Sequence, residues 1–325
     1  VLRTITRKQI EQVLPSLDLM PAIEGGFVAY SQGRAVVPPV GELLLDGGDV
    51  HIKYGYIRGD EHYVIKVASG FYGNPARGLP SGNGLMLLFR QDTGELAGAL
   101  YDGGLLTDVR TAVAGAIAAR HLAREKVRRI GIVGTGTQAR LQLRHLAGVT
   151  ACRSVLAWGR SEERLDRYRT DMGGVGFEVD TTTDATEVAR SCDLIVTTTP
   201  ATEPLLRTDD VRPGVHITAV GSDTPHKQEL EAAILARADV VVADSIEQCL
   251  LRGEIHRAVE GGYMSGDRLV ELGDVIAGRA AGRTSADQVT VADLTGVAVQ
   301  DIKIAEAVYA AVGGPTAETN RSSST

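Results

Sequence analysis

Gly134, Gly136 and Ala139 stand at the spacing G-x-G-x-x-A, directly after the apolar run Ile130-Gly131-Ile132-Val133 and directly before a helical pattern. Residues so placed can cradle a pyrophosphate. The first glycine permits the tight strand-to-helix turn, and the second lets backbone approach the phosphates with no Cβ in the way. The small third residue lets the helix pack close to the strand. The helix N-terminus, opened by Thr137 and Gln138, offers free N–H groups and the positive end of its dipole. The spacing alone is a weak signal; the strand before it and the helix after it carry the reading of a dinucleotide site.

Three further side chains bear on the chemistry. The next strand, Ser154–Trp158, ends in Gly159-Arg160-Ser161. An NAD site usually places Asp or Glu there, on the ribose 2′-OH. Here Glu162 and Glu163 fall in the following helix, while Arg160 and Ser161 stand where a 2′-phosphate would sit. A guanidinium pairs with phosphate in bidentate fashion, and the missing carboxylate removes a repulsion. A solvated loop arginine would look the same. The sequence therefore predicts NADP(H) as the preferred cofactor, with NAD(H) as the alternative. Asp223 follows Gly221 just past the apolar strand His216–Val220, at the strand end where an open α/β sheet presents its ligand. A carboxylate there can stabilise an iminium or exchange a proton with an amine. An aspartate that only caps a turn would occupy the same place.

Composition bounds the protein that must position these groups. At 325 residues, 43% hydrophobic and 23% charged, the chain has room for two domains of ordinary globular character. A net charge of −7 gives no reason to expect nucleic acid or an anionic membrane as partner. Aromatic content of 4% argues against a base-stacking platform. No apolar run approaches the ~18 residues of a membrane span, and Val1-Leu2-Arg3-Thr4 does not read as the opening of a signal peptide. Cys152, Cys192 and Cys249 are odd in number and far apart, so neither a disulfide framework nor a zinc site is expected. They read as small hydrophobes in a reducing cytoplasm, with no metal.

Periodicity supplies the elements. Residues 5–33 read as a helix carrying Ile10, Val13, Leu14 and Leu17 on one face, reset at Pro21 and continued by Ile23, Phe27 and Tyr30. Strands follow at Val36–Leu45, Val50–Ile57, Tyr63–Ala68, Gly84–Phe89 and Leu96–Tyr101. Asp46-Gly47-Gly48-Asp49 and Asp92-Thr93-Gly94-Glu95 mark hairpins. These connections are too short for parallel crossovers, which predicts an antiparallel or mixed sheet. A helix from about Asp108 to Leu122 leads into strands near 129–133, 154–158, 176–180, 193–198, 216–221 and 239–244, with helices between them and after the last. Val297–Ala311 closes the chain as a helix, ahead of a small polar tail.

Four segments resemble the ornithine cyclodeaminase/mu-crystallin superfamily. They are Val64-Ile65-Lys66-Val67, Leu106-Thr107-Asp108-Val109-Arg110-Thr111-Ala112, the Gly134–Ala139 fingerprint, and Ala219-Val220-Gly221-Ser222-Asp223-Thr224-Pro225-His226-Lys227-Gln228-Glu229-Leu230. The resemblance spans about residues 5–311. It implies an α/β fold with a Rossmann domain at 115–295. An α+β substrate and dimerisation domain would be built from 1–114 and 296–312, with a disordered tail at 313–325. It further implies a homodimer and a C-terminal helix that returns to the first domain.

Site residues carry over one by one. The superfamily's strand lysine, which binds the substrate carboxylate or polarises the reacting centre, matches Lys66, and its helix-start Arg-Thr pair matches Arg110 and Thr111, with the guanidinium on the substrate carboxylate. Its catalytic aspartate, absent from mu-crystallin, matches Asp223. Thr111 and Val220 join the fingerprint, Arg160 and Ser161 as cofactor-binding residues. Two positions depart from the pattern: Gly41 stands where many members carry a second carboxylate-binding arginine, and Leu85 replaces a common threonine. Lys53 or His51 would have to stand in for that arginine. Glu42, were it to face the pocket, would favour a substrate with an additional amine. Lys227 reads as a surface residue.

Three activities compete on this footing. The first is an NAD(P)H-dependent imino-acid reductase or amino-acid dehydrogenase. The second is a cyclodeaminase that recycles its hydride, and the third a non-enzymatic binder of the mu-crystallin kind. Arg160-Ser161 tilts towards net reduction, because cells hold NADPH reduced. Asp223 speaks against an inert binder.

Overall fold

The structure, a computed structural model, describes residues 2–71 and 73–313. Its first strand, β1 (Arg3–Thr6), overlaps the start of the segment expected to be helical, at Ile5 and Thr6. Ile5 is fully buried there between exposed neighbours, which is strand alternation rather than a helical face. Gln9 Oε1 accepts from Thr6 N at 2.9 Å and starts α1 (Arg7–Val13). Pro15, lacking an N–H, sits in a 3₁₀ turn that ends the first helix; α2 (Leu19–Ser31) then begins anew. Pro21 is therefore in the first turn of α2, where no N–H is needed, and does not reset a longer helix.

The expected strand 36–45 divides into β2 (Ala35–Val36) and β3 (Gly41–Leu45), because Pro38 and Pro39 have no donor for a ladder. Asp46-Gly47 turns β3 into β4 (Gly48–Ile57), with Gly47 at φ +86°. β5 (His62–Gly70), β6 (Gly82–Arg90) and β7 (Leu96–Tyr101) complete a sheet of order β1-β7-β6-β5-β4-β2, with β3 also on β4. The sheet is mixed: β1 runs parallel to β7 and the other pairs are antiparallel.

Asp102 Oδ2 accepts Leu106 N at 2.8 Å, so α3 (Leu105–Leu122) starts earlier than its apolar spacing suggests. Its alanine-rich, almost wholly buried body touches β6 of the first sheet and strands of the second. The second sheet follows as β8 (Ile130–Val133), α4 (Thr137–Leu146), β9 (Ser154–Trp158), α5 (Glu162–Gly173), β10 (Glu178–Thr182), α6 (Ala185–Ser191), β11 (Leu194–Thr197) and β12 (His216–Ala219). It continues through α7 (Ala232–Arg237), β13 (Val240–Ala243), α8 (Ile246–Cys249), α9 (Gly253–Glu260), β14 (Leu269–Glu271), α10 (Leu272–Ile276) and β15 (Thr290–Asp293). All eight strands are parallel, in the order β10-β9-β8-β11-β12-β15-β13-β14, a Rossmann-like arrangement.

Six strands were expected here. β14 and β15 are too short for periodicity to show, and β15 begins and ends on the buried polar residues Thr290 and Asp293. The β11–β12 crossover has only a 3₁₀ turn instead of an α-helix, in a segment interrupted by Pro200, Pro204 and Pro213. α11 (Ala298–Gly313) returns to pack on α2, α3, β4 and β5. Gly313 thus belongs to a helix; the remainder of the predicted tail, 314–325, lies outside the described residues.

Candidate active site

Strand order reverses on either side of β8, which opens a crevice at the carboxyl ends of β8 and β11. Gly134 leaves β8 at φ +123°, and a Cβ on it would lie 2.6 Å from Thr198 Oγ1. Gly136 has no neighbour within 4 Å of a would-be Cβ, leaving backbone open to a ligand. Ala139 is fully buried where α4 meets the core. Thr137 opens α4. Gln138 turns its side chain to α3, donating to Asp108 O at 3.0 Å and Oδ1 at 3.2 Å. Gln142 does the same to Thr111 O at 3.1 Å, and the Thr111 hydroxyl donates to Thr107 O at 2.8 Å. α4 is thereby keyed to the helix that carries Arg110. Arg140, which sequence reasoning passed over, donates to Thr135 O in the fingerprint loop and to Asp171 of α5.

At the end of β9, Arg160 is exposed and makes no hydrogen bond or ion pair among the described residues. Ser161 caps α5, accepting Arg164 N at 3.4 Å.

The residues expected to face a substrate gather on the first sheet and α3. Lys53 and Lys66 are direct cross-strand partners on β4 and β5, and both are buried. Buried ammonium groups need partners. Lys66 Nζ lies 3.2 Å from Asp301 Oδ2, and Arg110 Nε 3.0 Å from Asp301 Oδ1. Arg110 Nη1 donates to Gln300 Oε1 at 2.5 Å. Lys53 Nζ donates to the carbonyls of Thr295 at 2.9 Å and Gly296 at 2.6 Å. Gly296 has φ +84°, and a Cβ there would lie 2.6 Å from Arg110 Nη1 and 3.0 Å from Lys53 Nζ. Burial, then the neighbouring cations Lys66 and Arg110, pull Lys53 down to about 7. Burial pulls Lys66 down to about 8, against the attraction of Asp301. Burial pushes the Asp301 carboxyl up, but Arg110 and the two lysines outweigh it and hold it below its ordinary range.

Asp223 follows β12 on a loop held by Ser222 Oγ donating to Lys227 O at 2.8 Å. Its side chain is 36% exposed and pairs with Lys227 Nζ at 2.7 Å. Lys227 is thus largely covered, at 12% side-chain exposure, and is no surface residue. Burial pushes the Asp223 carboxyl up, yet Lys227, Lys53 and His51 together bring it below its usual value. His51 sits two residues from Lys53 on the same face of β4, with Nε2 2.8 Å from Glu42 Oε1 across the β3–β4 pair. Glu42 is therefore engaged by His51. Of the two candidates to stand in for an arginine at Gly41, Lys53 lies in the Lys66–Arg110 cluster. Val220 is buried at the end of β12, its N–H donating to Thr197 O at 3.0 Å.

Beneath Asp223, Glu229 Oε2 accepts from Thr197 Oγ1 at 2.7 Å and Gly221 N at 2.9 Å, while Oε1 accepts Thr199 N at 2.6 Å. One carboxyl thus ties the ends of β11 and β12. Glu254 in turn accepts Glu229 N at 2.7 Å. Burial raises Glu229 to about 7 and Glu254 to about 8. Asp301, Gln300, Glu229 and Glu254 escaped the sequence reading. Glu229 lies within the motif that includes Asp223, which was the available signal; Asp301 carried none, being an acid at helical spacing in the first turn of α11.

The sequence model of the ornithine cyclodeaminase/mu-crystallin family matches residues 3–314. A protein of Sinorhizobium fredii described as an uncharacterised cyclodeaminase is 41% identical over 316 residues, 95% of each chain. An archaeal alanine dehydrogenase dimer with bound NAD superposes with a TM-score of 0.88 at 33% identity, covering 95% of each chain. The Δ1-pyrroline-2-carboxylate reductase of Thermococcus litoralis, in complex with NADH and L-proline, superposes with a TM-score of 0.89 at 25% identity, covering 95% of this chain and 97% of the other.

Proposed function

The chain belongs to the ornithine cyclodeaminase/mu-crystallin family, and from that premise we propose that it is an NAD(P)H-dependent imino-acid (ketimine) reductase or amino-acid dehydrogenase. The observation that carries this reading is the buried cluster Lys53–Lys66–Arg110, electrostatically coupled to Asp223 at a strand end. Cations in that setting suit a small carboxylate. A carboxylate held by Lys227 suits the nitrogen of an imine or amine.

The fingerprint fits a dinucleotide: Gly136 leaves backbone open, and Arg160 is unengaged among the described residues. When bound, the nicotinamide supplies or accepts the hydride at the α-carbon. Lys66 and Arg110 fix the substrate carboxylate and so orient the C=N bond. Asp223, ionised and paired with Lys227, stabilises the iminium; it takes the proton from nitrogen in the oxidative direction and, once protonated, returns it in the reductive one. We assign the cofactor as NADP(H) in preference to NAD(H), on Arg160 and Ser161. We place the division between substrate and dinucleotide domains near 114–115 and 295–296, and we infer a homodimer. The exposed Leu43, Leu44 and Leu45 of β3 support that inference.

A cyclodeaminase is the second reading, favoured by the 41% identical relative; it needs the same residues and differs in returning the hydride. The test is a panel. NADPH or NADH oxidation is followed with pyruvate, glyoxylate, oxaloacetate and 2-oxoglutarate plus ammonia or methylamine, alongside cyclic imino acids, and ammonia release from ornithine is measured in parallel. Net oxidation with any imine supports the reductase. Ammonia release without net oxidation replaces it by the lyase.

A further inference from the structure

Asp301 is 1% exposed on the first turn of α11, and its two oxygens are divided between two cations. Oδ1 faces Arg110 Nε at 3.0 Å and Oδ2 faces Lys66 Nζ at 3.2 Å. Gln300, the preceding residue, takes Arg110 Nη1 at 2.5 Å. Among the described residues no hydrogen bond engages Arg110 Nη2. The Nε–Asp301 approach is an ion pair rather than a hydrogen bond, so the guanidinium is anchored by charge at Nε and by one hydrogen bond at Nη1, which leaves Nη2 for a ligand. An arginine side chain otherwise loses rotamer freedom when it is ordered. A fixed internal carboxylate removes much of that freedom before any substrate arrives.

We propose that Asp301 is a positioning residue, the built-in counter-ion that aims Arg110 and Lys66 at the substrate carboxylate and keeps Lys66 protonated for it. This rests on the reading of Lys66 and Arg110 as the carboxylate clamp. The charged groups around Lys66 are Asp301 from α11, Arg110 from α3, Lys53 from β4 and Asp102 from the loop ahead of α3. Burial draws Lys66 down to about 8, and Asp301 is the strongest influence opposing it. Affinity for a carboxylate therefore falls as pH rises past about 8. Without Asp301 the fall begins at lower pH.

The test uses pyrrole-2-carboxylate, a planar cyclic carboxylate with no imine to reduce, titrated into the enzyme–NADPH complex with nicotinamide fluorescence as readout. The titration is repeated from about pH 6 to 9.5, the range around the shifted lysines. In Asp301→Asn the pH at which affinity breaks moves down by about one unit or more, the usual effect of losing an opposite charge at this range. Affinity for NADPH stays unchanged, Lys66→Gln removes the break near pH 8 and leaves only that of Lys53, and Asp301→Glu returns it towards the wild-type position. If Asp301→Asn loses NADPH binding, the smaller Asp301→Ser takes its place. A break that stays put while affinity drops evenly at every pH overturns the proposal and leaves the clamp standing. The absence of any break in the wild type, or a break indifferent to Lys66→Gln, removes the clamp and the proposal together.

Discussion

Asp223 and its partners make separable contributions. Asp223→Asn keeps size and hydrogen bonding but cannot carry the charge beside Lys227. Turnover is expected to fall by about 10²–10⁴-fold, the range for a general acid–base group, with cofactor affinity nearly unchanged. Lys66→Met and Arg110→Met remove binding common to ground and transition states, so KM rises more than kcat falls. Steady-state kinetics on the best substrate of the panel separates these cases; near wild-type turnover in Asp223→Asn would refute the proton-handling role. At the far end of the crevice, Arg160→Ala should weaken NADPH by roughly ten- to a hundredfold and leave NADH alone, since one charge-assisted contact is worth about 1.5–3 kcal/mol. Equal NADPH affinity in both proteins would return the preference to NAD.

Elements matter because each brings one part of the site to a fixed place. β4 and β5 set Lys53 and Lys66 side by side, α3 carries Arg110, and the turn between β15 and α11 supplies the carbonyls that hold Lys53. Gly296 in that turn is the close-packed point. Gly296→Ala puts a Cβ at φ +84° against Arg110 and Lys53, with backbone strain on the order of 1–3 kcal/mol. The expected result is a lower Tm together with a raised KM; a variant that melts and binds like wild type would show the turn to be more yielding than its contacts imply. The sequence did mark β5, which carries Lys66, and β12, which ends shortly before Asp223, because apolar and β-branched residues cluster in both. β1 and β15 did not stand out, since polar residues fill most of Arg3–Thr6 and both ends of Thr290–Asp293, leaving no apolar run to register.

At the scale of the whole molecule, buried acids link stability to pH. Native Glu229 and Glu254 hold protons up to about 7 and about 8, whereas unfolded glutamates release theirs near 4.5. Between those values the native state binds more protons. The contribution of these groups is therefore complete below about pH 4.5 and lost as pH rises through 7 to 8. Buried His216, drawn down to about 3, works in the opposite sense between 3 and 6.5, so the measurement must be differential. Glu254→Gln mimics the neutral acid, and its Tm relative to wild type should climb as pH is raised from about 5 to 8; a constant difference would contradict the assignment. The exposed leucines of β3 lead to a second expectation, a dimer in sedimentation at micromolar concentration. A dispersed monomer would count against the homodimer.

The sequence by itself determined the dinucleotide fold and the strand-end place of Asp223, and family resemblance pointed to Lys66 and Arg110 as candidates. Local rules suffice for the first two, because a tight glycine turn and an apolar run are properties of neighbouring residues. Only the tertiary structure decided that Lys227 pairs with Asp223, that Lys53 rather than His51 lies in the cation cluster, and that Asp301 stands between Lys66 and Arg110. Asp301 is 191 residues from Arg110 and 235 from Lys66 in the chain. An acid on a helix has no local mark to distinguish a solvated charge from a buried counter-ion. That distinction is made when α11 folds back against β4, β5 and α3, since an ionised carboxylate is buried there only because cations meet it.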